Sequence, residues 1–306
     1  MINRNKQQSF TLIELLVVIV IIGILAGVIM ISTSSSIDKA NFAKAQTFSN
    51  TVQEELLLNL VSEWTFDEGT DQTINRVATN NDVKDTWGSN NGTVYGNPQI
   101  KGGDDCVYGR CIRFNGVEGD YINLGNSSSL QPLFSNYTIE FWYKAVAAGY
   151  AYIAIVDKGN GNSGTQDGYH FWLNSSGNTL TYNSGDGTVN TGSINKGVIL
   201  NKWTHVALSN NRTRGFTLYI DGMDNFVAKN SSLNSIGEDF PLLLGKLQWQ
   251  TAYPFNGYVD EVKVYNEALS TSEIKQNYIA RLNSMLSNGN ISKQEYNERI
   301  NKLAYD

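Results

Sequence analysis

Glu14 stands alone inside the apolar run from Leu12 to Ile31, LIELLVVIVIIGILAGVIMI. A carboxylate buried in such a segment costs about 2.5 kcal/mol or more, so it implies a partner and a function there. Two other acids, Asp260 and Glu261, are adjacent in GYVDEV. On a strand, neighbours point to opposite faces, so the two are not expected to serve as the paired carboxylates of a glycosidase. The chain has 2 His and 2 Cys. His170 alternates with Phe171 in YHFWL, which puts one of them on each face of a strand; no nearby residue completes a Ser–His–Asp set. Cys106 and Cys111 frame Val107-Tyr108-Gly109-Arg110, where Tyr108-Gly109 can form a turn, and a local disulfide staple is expected outside the cytoplasm. With no further Cys or His nearby, a zinc site is not expected. No nucleophile motif and no phosphate-cradling glycine loop is present.

The elements that must position these groups follow from periodicity. A run of about 20 apolar residues is long enough to cross the ~30 Å hydrocarbon core as a helix. After the polar stretch STSSS, where a bend is expected, Ile37, Phe42, Ala45, Phe48, Val52, Leu56 and Leu60 recur at mostly three- and four-residue spacing, predicting an amphipathic helical extension. From about Trp64 the period becomes two: Tyr121–Leu124, Thr138–Lys144, Tyr169–Leu173, Thr204–Leu208, Phe216–Ile220 and Tyr258–Tyr265 read as strands. Asn90-Asn91-Gly92, Gly159-Asn160-Gly161, Ser184-Gly185-Asp186-Gly187 and Asp221-Gly222 read as turns between them. Many short strands without intervening helices, with 28 Gly and 16 Tyr, mean a two-sheet sandwich. Ser270-Thr271-Ser272-Glu273 and Ser292-Lys293-Gln294-Glu295 both fit capping boxes, and Gly289-Asn290 separates the two helices they start. The net charge of −6 becomes two units more acidic if a leader carrying Arg4 and Lys6 is removed, which argues against a nucleic-acid partner.

Ser9-Phe10-Thr11-Leu12-Ile13-Glu14-Leu15-Leu16 resembles the class III signal of type IV pilins and pseudopilins. The resemblance implies cleavage between Ser9 and Phe10 by a prepilin peptidase, methylation of the new terminus, and pairing of Glu14 with the amino terminus of a neighbouring subunit. The family usually has Gly where this chain has Ser9. An ordinary signal peptide would instead be cut after its apolar region. Seven phrases in order, among them WTFDEG, CIRFNGVEGDYINLG, NKWTHVALS and FNGYVDEVKVYNEALSTSEI, resemble the laminin-G or concanavalin-A-like jelly roll. That family contains lectins and glycan hydrolases; the Glu-x-Asp-x-x-Glu strand of its hydrolases is not found here, so no enzyme activity is expected. Trp64, Trp142, Trp203 and His205 fall in phrases the fold uses for its core. A sugar-binding face would draw on Trp87, Tyr169, Trp172, Trp249 and Tyr253 for stacking, with Asp157 and Asp167 as hydrogen-bonding groups. Calcium, common in the fold, would sit between Asp67 and Asp260. The last segment resembles a short C-terminal helical motif thought to mediate association; packing on the chain's own surface is the alternative. The expected organisation is a leader (1–9), a transmembrane and assembly helix with its extension (10–62), an antiparallel β-sandwich head (63–278) and a C-terminal αα-hairpin (279–306). The implied function is a non-catalytic pilin-like subunit, in the inner membrane as a single-pass precursor and then in an extracellular pilus, with other pilin subunits and a glycan as partners. A pseudopilin of a secretion system, or a glycan hydrolase, is the alternative.

Overall fold

A computed structural model describes residues 56–131, 136–146, 153–160, 167–174, 179–186, 190–228, 239–249 and 254–304. Ser9, Phe10, Glu14 and Tyr253 lie outside these residues, as does the apolar block. Among the described residues no helix is long and apolar enough to cross a membrane.

Residues 56–304 are dominated by two antiparallel sheets. The nine-stranded sheet runs in the order β14 (Met223–Ala228), β13 (Gly215–Ile220), β12 (Thr204–Asn211), β7 (Tyr137–Ala145), β16 (Asn256–Tyr265), β5 (Arg110–Asn115), β4 (Gln99–Gly102) and β2 (Arg76–Val77), with β1 (Leu60–Trp64) also paired to β16. The seven-stranded sheet runs β11 (Asn190–Gly197), β10 (Thr179–Asp186), β9 (Asp167–Leu173), β8 (Ile153–Asn160), β15 (Leu243–Leu244), β6 (Tyr121–Asn123) and β3 (Thr93–Tyr95). Alternate side chains from each sheet interlock between them. Phe141 of β7 meets Phe171 of β9 edge-on at 5.2 Å, and Tyr182 of β10 meets Phe216 of β13 at 5.1 Å. Trp64 is fully buried in this same core.

The helical extension expected through residue 62 ends earlier. Of the described residues in it, 56–59 are helical, and Leu60–Trp64 pair with Tyr265–Val262 of β16. LVSEW satisfies both a three-to-four and a two-residue period, and the open edge of β16 decides for strand. The expected turns at Gly159-Asn160 and Ser184–Asp186 are still strand. Gly159 instead faces Gly168 across the β8–β9 pair, where a side chain on either would strike the partner backbone. Asp221-Gly222 does turn, both with positive φ, between β13 and β14.

The hairpin of α1 (Thr271–Ser287) and α2 (Lys293–Ala304) lies on the outer face of the nine-stranded sheet. It begins at Thr271, eight residues before the expected boundary at 279. Ser270 and Glu273 form a reciprocal capping box. At α2 only half of one forms: Ser292 Oγ accepts the Glu295 N–H, while the Glu295 carboxylate turns to Arg299 at 2.8 Å. Tyr278, Leu282, Met285 and Ile291 pack with Trp142, Trp203, Cys106 and Cys111 in a second core. The apolar seam of the C-terminal motif is therefore covered by the chain's own sheet. His205 sits in the wall between the cores, buried, with Nε2 3.5 Å from Glu140 Oε2.

Candidate ligand pocket

The disulfide loop builds one wall of a pocket. Cys106 and Cys111 are bonded, with Cα atoms 5.5 Å apart. The buried carboxylate of Asp260 receives the N–H groups of Val107 (2.9 Å) and Tyr108 (3.3 Å) on Oδ2, and that of Glu261 (2.8 Å) on Oδ1. Asp67 accepts the Arg110 N–H at 2.7 Å. Gly109 between them has φ +53°, and a Cβ there would collide with the Asp67 carboxylate, so only glycine suits the position. Asn290, in the turn between the helices, donates to the Cys106 carbonyl and fixes the loop from the other side. The result is a cleft of about 530 Å³ with Asp67 and Arg110 at its base, Tyr108 and Ile74 as apolar walls, and Gln72, Asn288 and three glycines (Gly102, Gly103 and Gly109) around it.

Charge organises the base. Arg110 is nearly buried; its Nη1 donates to the Asp71 carbonyl at 2.9 Å and lies 3.9 Å from Asp82. Asp82 in turn takes two hydrogen bonds from Arg76 and two from Thr79. Burial pushes the Asp67 carboxyl up to about 6, with Glu261 repulsion added and the Arg110 N–H opposing. Burial, then Glu261, raise Asp260 well above the ordinary carboxylate range. Carboxyls raised on folding stabilise the fold below their unfolded value, near 3.8, and lose that contribution as pH rises through the folded value. Asp82 and Glu140 resist burial's upward push, held low by Arg76 and Thr79 in one case and by His205 in the other, so they weaken only in stronger acid. The folded unit is therefore expected to melt at a higher temperature at pH 5 than at pH 7.5, and Asp67→Asn to shrink that difference. An unchanged difference in the variant, measured by calorimetry, would contradict this assignment.

Asp260 and Glu261 do not face opposite ways. The β16 register shifts between Asp260 and Lys263, Glu261 takes φ +51°, and this bulge buries both carboxylates on the outer side. Arg281 of α1 reaches Glu261 at 2.5 Å and Lys263 approaches it at 3.5 Å. Calcium takes six to eight oxygens. Asp260 has both oxygens occupied by amides and Asp67 has one, with Arg110 and Arg281 beside them, so the pair as folded does not fit that ion. Among the described residues no group of three or more His, Cys, Asp or Glu is arranged to hold a metal.

Residues 115–275, more than half of the chain, match the concanavalin A-like lectin/glucanases superfamily. The chain belongs to that superfamily. Residues 4–30 match the prokaryotic N-terminal methylation motif. No curated protein sequence matches the chain. Among similar solved structures, the binding domain of Paraclostridial Mosquitocidal Protein 1 is 22% identical with a TM-score of 0.58, over 74% of this chain and 53% of that one. The botulinum neurotoxin serotype D binding domain is 16% identical with a TM-score of 0.56, over 76% and 53%. Domain 4 of AbnA, a GH43 extracellular arabinanase from Geobacillus stearothermophilus solved in complex with arabinotriose, is 21% identical with a TM-score of 0.50, over 71% and 97%. These identities show a shared fold. The chain spans about half the length of the two toxin domains.

Within this lectin/glucanase sandwich the predicted sugar-binding residues fall in several places. Tyr169 is in the core between the sheets, against Tyr137 and Phe171. Asp157 and Trp172 belong to the outer face of the seven-stranded sheet but are buried there. Asp157 bonds His170 Nδ1 at 2.6 Å and the Gln248 N–H at 2.8 Å, fastening the segment that follows β15. Trp172 packs with Ala154 and Leu247, with Trp249 partly buried beside them. Asp167 is half-buried at the start of β9. Trp87 is half-exposed on a turn organised by Asp85, whose carboxylate accepts the N–H groups of Glu63, Trp87, Gly88 and Asn90. The structure brings Trp172 and Trp249 together near Asp157, and it leaves Trp87 and Tyr169 apart from them. It gathers residues the sequence reading passed over: Arg110, Tyr108, Gln72 and Ile74 beside Asp67. Exposed Tyr95 and half-buried Tyr121, stacked at 4.4 Å with Lys246 over the second ring, form a further aromatic pair.

Proposed function

We propose that this chain is a type IV pilin-like subunit that displays a lectin-like β-sandwich for surface adhesion through carbohydrate binding, without catalysis. One observation carries the reading: an N-terminal methylation motif and a concanavalin A-like sandwich occupy the same chain. A prepilin peptidase removes residues 1–9, the apolar helix holds the precursor in the inner membrane, and assembly carries the sandwich out with the filament. The cleft beside the disulfide loop supports the binding part of the reading, since it combines apolar walls with a few convergent polar groups. The bulged Asp260–Glu261 pair is engaged by amides and by Arg281, which suits a structural rather than a hydrolytic role.

A glycan array probed with residues Leu56–Asp306, which form a compact unit with their own core, tests the binding. Retention of at least one class of plant, host or bacterial glycan is expected; silence across all three removes the carbohydrate part of the proposal. Mass spectrometry of the mature protein is expected to find an N-methylated Phe10 at its start.

A further inference from the structure

The base of the cleft pairs a donor with an acceptor. Arg110 has a side-chain exposure of only 6%, and its Nη2 has no hydrogen-bond partner among the described residues. Nη2 itself is closed to solvent; Nε, beside the Asp67 carboxylate and with no hydrogen-bond acceptor among the described residues, is the guanidinium group that suits an oxygen supplied from outside. Asp67 is the neighbouring group: its Oδ1 lies 3.9 Å from Arg110 Nε, while no hydrogen bond to Oδ2 is formed among the described residues. Opposite charges this close leave the base near neutral, which favours an uncharged ligand over an anionic or cationic one. Above them stands Tyr108, 44% exposed, with the Arg281 guanidinium 5.1 Å from its ring centre. The glycines Gly102, Gly103 and Gly109 around the cleft carry no side chains that would fill it.

Resting on the carbohydrate-binding reading above, we propose that this cleft is the sugar subsite and that it selects an uncharged vicinal diol. One hydroxyl donates to Asp67, its neighbour accepts from Arg110, and the Tyr108 ring packs against the C–H face of the sugar. A charged carboxylate and a guanidinium side by side present one acceptor and one donor, the pattern that two adjacent hydroxyls complement. The buried Asp157–His170 pair on the seven-stranded sheet is not a rival, since both are fully covered.

The test uses the full chain in detergent, titrated by NMR with arabinotriose and with the methyl glycosides of galactose, glucose and mannose. At least one is expected to bind. For that sugar, the analogue deoxygenated or O-methylated at the diol should lose roughly tenfold or more, because the site's polar groups are then left unpaired. Asp67→Asn, which keeps an acceptor for the Arg110 N–H, and Tyr108→Ala, which removes an exposed ring, should each weaken binding comparably while the chain stays folded. Binding that is unaltered by both substitutions overturns the subsite and leaves the carbohydrate reading standing. Binding of none of the four sugars, together with a silent array, overturns both.

Discussion

Glu14→Ala is expected to leave the protein in the inner membrane and remove it from sheared surface filaments. The carboxylate lies in an apolar run where an unpaired charge costs about 2.5 kcal/mol or more. Evolution of such a segment toward pure hydrocarbon would be favoured unless something repaid the cost, and the methylated amino terminus of an adjacent subunit is the group that can. In a medium of low dielectric the attraction between those two charges is far stronger than in water. Alanine removes the attraction and makes the apolar run more comfortable in lipid, so the balance moves toward the membrane on both counts. The measurement is the ratio of filament-bound to membrane-bound protein by immunoblot after shearing. A ratio equal to that of the unaltered chain defeats the assembly role given to Glu14.

Tyr278→Ala carries the largest expected cost to the fold. Tyr278 is fully buried, stacks on Trp142 with ring centres 5.5 Å apart and 14° between planes, and approaches His205 at 5.7 Å. It is the residue through which α1 grips the outer face of the nine-stranded sheet. Truncating a buried aromatic costs about 3–5 kcal/mol, a large part of the roughly 5–15 kcal/mol that holds a domain folded. Denaturant unfolding of Leu56–Asp306 should show the loss, and hydrogen exchange should report earlier opening of α1 and α2 than of β7. A shift under about 1 kcal/mol would mean that the hairpin is held elsewhere.

The fold was legible wherever one face of a strand is apolar and the other is not. Phe216–Ile220 alternates and is a strand. The capping box at Ser270 is a local hydrogen-bond pattern and could be read directly. Leu60–Trp64 could not, because the partner that makes it a strand lies some two hundred residues away in β16. The bulge that turns Asp260 and Glu261 to one side is likewise invisible to a rule of alternation. The aromatic set shows a different limit. Tyr169 and Trp172 are three apart on one strand, so they cannot share a face, and only the packing of both sheets decides which side holds the core. The candidate pocket draws its residues from 67–74, 102–103, the loop at Tyr108–Arg110 and the turn at Asn288, four places that only the sandwich brings together.

The Cys106–Cys111 link gives the head a chronology. In a reducing compartment the thiols would stay reduced, and the short loop that carries Tyr108 and Arg110 would keep only its hydrogen bonds to Asp260, Asp67 and Asn290. On the pilin-like reading proposed above, the disulfide forms only once the sandwich has crossed the membrane, and the loop bordering the cleft is fixed there.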